Sequence, residues 1–248
     1  MTLGGPGSLG SRPRRLRLHP GVALSVRCVH LPETVFALLL AVVSAACGPP
    51  VLQNGQLTVV AQQHDTLALS DALEQLIAAG TDTASDRAFA YKEASQHEEP
   101  SSAAYAFARA AITGRYVQTH GLAGVRHVGE VETWARRSRE LDPGFRGGVA
   151  TRLLGTLYVL VPATMLAHGD SEEGLSLLEG LVKLHPEVPE NRLRLAEALI
   201  ALGDPAPATP HLCSCLGARA SLRPDDQKLL DKLVKDAEMP ACPGAARR

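Results

Sequence analysis

By type and setting, Arg152 is the side chain in this sequence best placed for chemistry. It carries the only charge between Gly147 and Ala167 and sits near the start of an apolar helical run. A guanidinium in such a place can hold a ligand carboxylate in a bidentate pair. Tyr158 could add a hydroxyl to the same site. Each has a plainer reading: Arg152 pairs with a structural acid or is solvated at a helix start, and Tyr158 fills a packing position. His120, His127 and Glu130 come nearest to a metal set, but Gly121 and Gly124 intervene and no third His or Cys stands at ligand spacing. The sequence has no Gly-rich phosphate loop, no Gly-x-Ser-x-Gly elbow and no Cys-x-x-Cys. Glu172, Glu173, Glu187 and Glu190 read as solvated helix faces and helix starts rather than paired catalytic carboxylates. The expectation is a protein that is not an enzyme and holds no metal or cofactor.

A different kind of chemistry is written at Cys47. Arg12, Arg14, Arg15, Arg17 and Arg27 precede an apolar run, Val35 to Val43, followed by Ser44-Ala-Ala-Cys47 and Gly48-Pro-Pro50. A cationic flank, a short apolar segment and a small-residue site make an export signal, and the run is shorter than the roughly 20 residues a permanent span needs. The Cys directly after small residues resembles the lipobox of bacterial lipoproteins, in which that thiol takes a diacylglycerol and the chain is cut just before it. The resemblance implies a signal over residues 1–46, lipid attachment at Cys47 and an envelope location facing the periplasm. The long cationic region places the true start nearer Val22 or Val26, and Arg14-Arg15 matches a twin-arginine signal only in that pair.

Removing residues 1–46 takes five Arg and one Glu from totals of 25 basic and 26 acidic residues, leaving 20 and 25, or net −5. That balance offers no basic stripe for nucleic acid. Cys47, Cys213, Cys215 and Cys242 remain after processing. Cys213 or Cys215 could bridge to Cys242 in an oxidising compartment, although small buried thiols are the simpler reading.

The elements that must position these groups are helical. Aromatic residues make up only 4% of the chain, and Ala- and Leu-rich packing suits helices that approach closely. Residues 47–66 are polar and aperiodic, which predicts a tether. Caps and stops then predict a helix with a stripe from Leu67, a cap at Ser70-Asp71 and a stop at Gly80, then helices from Ser85-Asp86 to before Pro100, 103–117, 128–141, from Val149 with a break at Pro162, from Ser171 to His185, 189–202, from a Thr209 cap, and 224–238, within a repeat domain of residues 67–238. From Leu153 to Ala167 apolar side chains cover every face, so burial on all sides is expected. Residues 239–248 are expected to be a disordered tail.

Helices of this length joined by short turns predict stacked antiparallel pairs, an all-α, α-solenoid-like fold. Leu195-Ala196, Leu199, Ala208, Leu212 and Cys215 fit the tetratricopeptide pattern, and Leu154-Gly155, Tyr158, Gly174, Leu178, Leu181 and Pro186 give an earlier copy. Extra residues around Pro162 to Ala167 interrupt that earlier copy. They are expected to push neighbouring helices apart and open a cavity there.

The order Glu140-Leu-Asp-Pro143, Gly147-Gly148, Arg152, Leu154-Gly155, Tyr158, Pro162, Gly169-Asp170, Pro186, Asn191 and Leu195-Ala-Glu197 resembles the T component associated with tripartite ATP-independent periplasmic (TRAP) transporters, the TatT-like lipoproteins. The resemblance spans about Leu122 to Leu233, departing from the family at the proline-rich segment Pro205 to Pro210. It implies a helical envelope lipoprotein that forms homo-oligomers and pairs with a periplasmic solute-binding protein. A tetratricopeptide lipoprotein that organises outer-membrane or secretion complexes is the alternative.

Overall fold

In the computed structural model the chain forms two compact units, Met1–Pro50 and Val51–Arg248. The structure describes residues 54–96, 99–238 and 242, all in the second unit. The signal and Cys47 lie outside the described residues, as does the tail apart from Cys242. The second unit is all-helical among the described residues. Its α-helices are α1 (Gly55–Ala61), α2 (Thr66–Ala79), α3 (Ala84–Ala94), α4 (Ala103–Thr119), α5 (Gly121–Val125), α6 (Val128–Leu141), α7 (Val149–Leu160), α8 (Ser171–Leu184), α9 (Pro189–Ala201), α10 (Ala208–Gly217) and α11 (Pro224–Asp236). No helix among them is long and apolar enough to cross a membrane.

Local chemistry sets most boundaries. Asp65, Thr83, Ser102 and Asp170 each accept a backbone N–H at a helix start, and Thr83 with Asp86 forms a reciprocal capping box. Pro189 and Pro224 open α9 and α11 at positions where the missing N–H costs nothing. Some boundaries differ from expectation. Ser70 and Asp71 lie inside α2, and Asp65, which accepts the Ala68 N–H, caps it instead. α1 occupies part of the segment read as a tether, because Leu57 is fully buried against α2 and α3. α10 begins at Ala208 instead of behind a Thr209 cap, since Pro207 is in a helical conformation and already leads the chain into the helix.

The helices stack as antiparallel pairs: α4 with α6, α7 with α8, and α9 with α10, with α11 closing the series. α7 and α8 touch backbone to backbone. A Cβ at Gly155 would lie 2.9 Å from the Gly174 carbonyl oxygen and 2.6 Å from Leu178 Cγ. Gly174 follows Tyr158 by 16 residues, whereas Ala208 follows Leu199 by 9, so the first pair carries the extra residues.

Those extra residues do not separate the helices. α7 ends at Leu160 and the chain turns outward through a 3₁₀ turn, Ala163–Met165. The buried Glu132 carboxylate on α6 accepts the Ala167 and His168 N–H groups, each at 2.8 Å, and pins the loop's return. Gly169, with φ of +71°, then tucks under the Tyr158 ring and leads into α8. The expectation of burial on every face fails here: Leu160 and Met165 are each 45% exposed. The expected opening at Pro162 is likewise replaced by direct Gly155–Gly174 contact.

Two glycine substitutions should separate close approach from helix propensity. Gly155→Ala should destabilise the protein by about 1–3 kcal/mol through overpacking. Gly180→Ala, at an open position in α8, should stabilise it by about 0.5–1 kcal/mol. Urea unfolding of both variants checks the opposite signs.

Candidate functional site

Arg152 projects from the first turn of α7, which the left-handed Arg146-Gly147-Gly148 turn aims toward α9. Its Nη1 donates to Asn191 Oδ1 at 2.7 Å. Asn191, fully buried in the first turn of α9, also reaches the Gly147 carbonyl through Nδ2 at 3.5 Å. Two helix starts are thereby stitched around one guanidinium. Burial drives the Arg152 pKa down to about 10, while Glu190 and Asp226 pull it up and Arg194 and Arg223 push it down. The group stays cationic at neutral pH but is poorly hydrated.

The neighbouring arginines have carboxylates. Arg194 pairs with Glu197 at 2.8 Å and Asp226 at 2.7 Å. Arg223 pairs with Glu74 at 2.5 Å and Asp226 at 3.3 Å. Arg115 donates to both oxygens of Glu74, at 2.6 and 2.7 Å. Burial alone would lower the Arg115 pKa, but Glu74 and Asp225 outweigh it and the net shift is upward. Among these four described arginines, Arg152 alone has no carboxylate in ion-pair contact. Its one protein partner is a neutral amide, which leaves its other donors for an incoming carboxylate or carbonyl.

The structure does not bring Tyr158 to Arg152. Tyr158 lies near the other end of α7, where its hydroxyl donates to Glu132 Oε1 at 3.2 Å and accepts from Arg136 Nη1 at 3.4 Å. Burial, with Glu132 nearby, raises its pKa. The residue packs the core and braces the loop. A site combining Arg152 and Tyr158, as their spacing suggested, is absent from the described residues.

His127 and Glu130 do meet, through Tyr91. The Tyr91 hydroxyl donates to Glu130 Oε2 at 2.9 Å and lies 3.0 Å from His127 Nδ1. Arg109, itself buried, pairs with Glu130 and stacks over Trp134. His120 instead stacks on Tyr116, with centroids 3.9 Å apart. Among the described residues no three His, Cys, Asp or Glu side chains gather at metal-binding distance. The cluster knits α3, α4 and α6 together. Burial and Glu130 raise the Tyr91 pKa to about 12.

Cys213 forms a disulfide with Cys242, resolving the open pairing between Cys213 and Cys215. Cys215 is buried, its thiol donating to the Pro189 carbonyl oxygen at 3.4 Å, and burial raises its pKa to about 12. It is inert packing.

Sequence reasoning passed over Glu74, Glu132, Arg194 and Asp226, all plain surface letters in a helical pattern. It reached Asn191 only within the family resemblance and not as a partner of Arg152.

The repeat geometry agrees with comparison to known families. A tetratricopeptide repeat family model matches residues 165–211. That stretch holds α8, α9 and the start of α10, the second helix of one pair and the first of the next. The chain therefore contains a tetratricopeptide-type helical repeat, a fold that typically serves as a protein-binding scaffold without catalysis. Comparison with curated proteins finds no match.

Two measurements probe these sites. Asn191→Ala should lower stability by about 1–3 kcal/mol, because it strips a poorly hydrated, partly buried guanidinium of its hydrogen bond. Arg152→Met should cost less, because relief of a desolvated charge offsets the Asn191 Oδ1 left without its donor. Urea unfolding distinguishes them. Separately, the folded state holds the Tyr91 proton above the ordinary tyrosine value of 10.0. Stability from that group is therefore full below pH 10.0 and lost as pH rises through about 12. Tyrosinate absorbance should accordingly lag that of the unfolded chain.

Proposed function

We propose that this chain is a non-enzymatic, lipid-anchored envelope protein that binds a protein partner through the α7–α9 face. In its most specific form it is accessory to a TRAP-type periplasmic transporter and binds that transporter's solute-binding protein. Arg152 carries the reading: a poorly hydrated cation, oriented by Asn191 and without a carboxylate of its own, suits a partner's carboxylate or backbone carbonyl. The ordered residues from Glu140 to Glu197 that resemble the TRAP T component supply the partner class. The leader pattern ending at Cys47 supports lipid anchoring. The Cys213–Cys242 disulfide supports an oxidising compartment, because such bonds persist outside the cytosol.

Affinity capture of the full chain from solubilised membranes tests the partner. A solute-binding protein should co-purify, and Arg152→Ala should sharply reduce its recovery while the chain stays folded. Recovery of outer-membrane or secretion assembly proteins alone would overturn the transporter role and favour the scaffold alternative. Cys47→Ser should release the chain from membranes. Retention on the membrane would overturn the anchor.

A further inference from the structure

The exposed apolar side chains of this unit are not scattered evenly over its two ends. Arg87, near the start of α3, reaches the Arg115 carbonyl oxygen and Gln118 near the end of α4, so α3 and α4 are antiparallel. Ser138, late in α6, donates to the Ala103 carbonyl at the start of α4, and Tyr158, late in α7, meets Glu132, early in α6. Asn191 and Arg152 pair the starts of α9 and α7, which makes those two helices parallel. It follows that the start of α3, the α4–α6 junction, the end of α7 and the end of α9 all lie at one end of the stack. That end carries Leu122 at 93% exposure, Leu160 and Met165 at 45% each, and Leu202 at 44%. Pro162, Pro205, Ala206 and Pro207 are exposed around them.

Asn54 lies at the same end, its N–H donating at 2.7 Å to Asp86 in the first turn of α3. Seven residue steps separate it from Cys47. They span at most about 25 Å when fully extended. The opposite end lies farther off by the length of α7, 12 residues, or about 18 Å. A lipid at Cys47 therefore brings the apolar end to a bilayer with chain to spare, and the opposite end only with the connection drawn nearly taut.

We propose that this end rests on the bilayer surface, with Leu122, Leu160, Met165 and Leu202 entering the headgroup layer. The proposal rests on the reading of Cys47 as the lipid-bearing residue. Charges of both signs border the patch, Arg126 with Asp170 and Asp204, all exposed. It thus fits a zwitterionic lipid surface better than a polyanion. The two chains of a diacylglycerol hold the protein at the surface, and added apolar insertion fixes its orientation there. Arg152, in the first turn of α7, then faces away from the membrane.

The test uses the full chain in isolated bacterial membranes, spin-labelled at Leu122→Cys or Leu202→Cys, and at Leu184→Cys as the opposite-end control. Leu184 is 71% exposed, so labelling there should leave the core intact. The first two labels should lose relaxation by a water-soluble nickel chelate and gain relaxation by oxygen, while the third stays open to nickel. Equal nickel access at all three positions on membrane-bound, lipid-modified protein would overturn the orientation and leave the anchor standing. Absence of lipid on Cys47 by intact mass would overturn both. The same nickel shielding in a soluble Cys47→Ser chain would assign the patch to a second copy, and overturn membrane contact.

Discussion

The fold closes between early and late helices, and one carboxylate stands at that closure. Glu74 on α2 accepts two bonds from Arg115 on α4 and one from Arg223, the residue that leads into α11. A linear stack of helix pairs would contact only its neighbours. Here α2 also touches α11, and Glu74 lies 149 residues before Arg223 in sequence. The interaction is bidentate and charge-assisted on one side, and sits in partial shelter from water, where such pairs are stronger. Arg146, paired with Asp71 at 2.7 and 2.8 Å, ties the α6–α7 turn to the same helix. α2 thus acts as a clasp that fixes the stack from its first pair to its last helix.

Within that frame the two ends of the stack differ in chemistry. One end holds the first turns of α7 and α9, where Arg152 and Asn191 meet. The other holds Asn54 with Leu122, Leu160, Met165 and Leu202 exposed beside it. The extra residues between α7 and α8 lengthen the apolar end, and Glu132 keeps their loop folded without parting the helices. A repeat that normally presents a smooth groove has become a molecule with a polar working end and an apolar resting end. Proposed partner capture and proposed membrane contact need not compete for the same surface.

Much of the fold was legible in the sequence because it is set locally. Ser102, Asp170, Pro189 and Pro224 announce helix starts by their own side-chain chemistry, and Gly155, Tyr158 and Gly174 announce a close pair through size alone. α1 was hidden because seven residues show too little period to read, although Leu57, Val60 and Ala61 pack it onto its neighbours. Composition misled at Leu160 to Ala167, where an apolar run looked like core and is surface. Arg152 could be singled out by its isolation among apolar neighbours, but its partner could not. The contact with Asn191 spans 39 residues and follows from the parallel placing of α7 and α9. Glu74 and Glu132 were illegible for the same reason: their meaning lies in residues distant in sequence.

Native-state hydrogen exchange of the full chain and of its Glu74→Gln variant tests the clasp most directly. Removing the charge should raise exchange together in α2, at the start of α11 and in the adjoining turn of α4, while α7 and α9 keep their protection. Faster exchange confined to α2, with α11 unchanged, would contradict the account and leave the stack as an open series of neighbours.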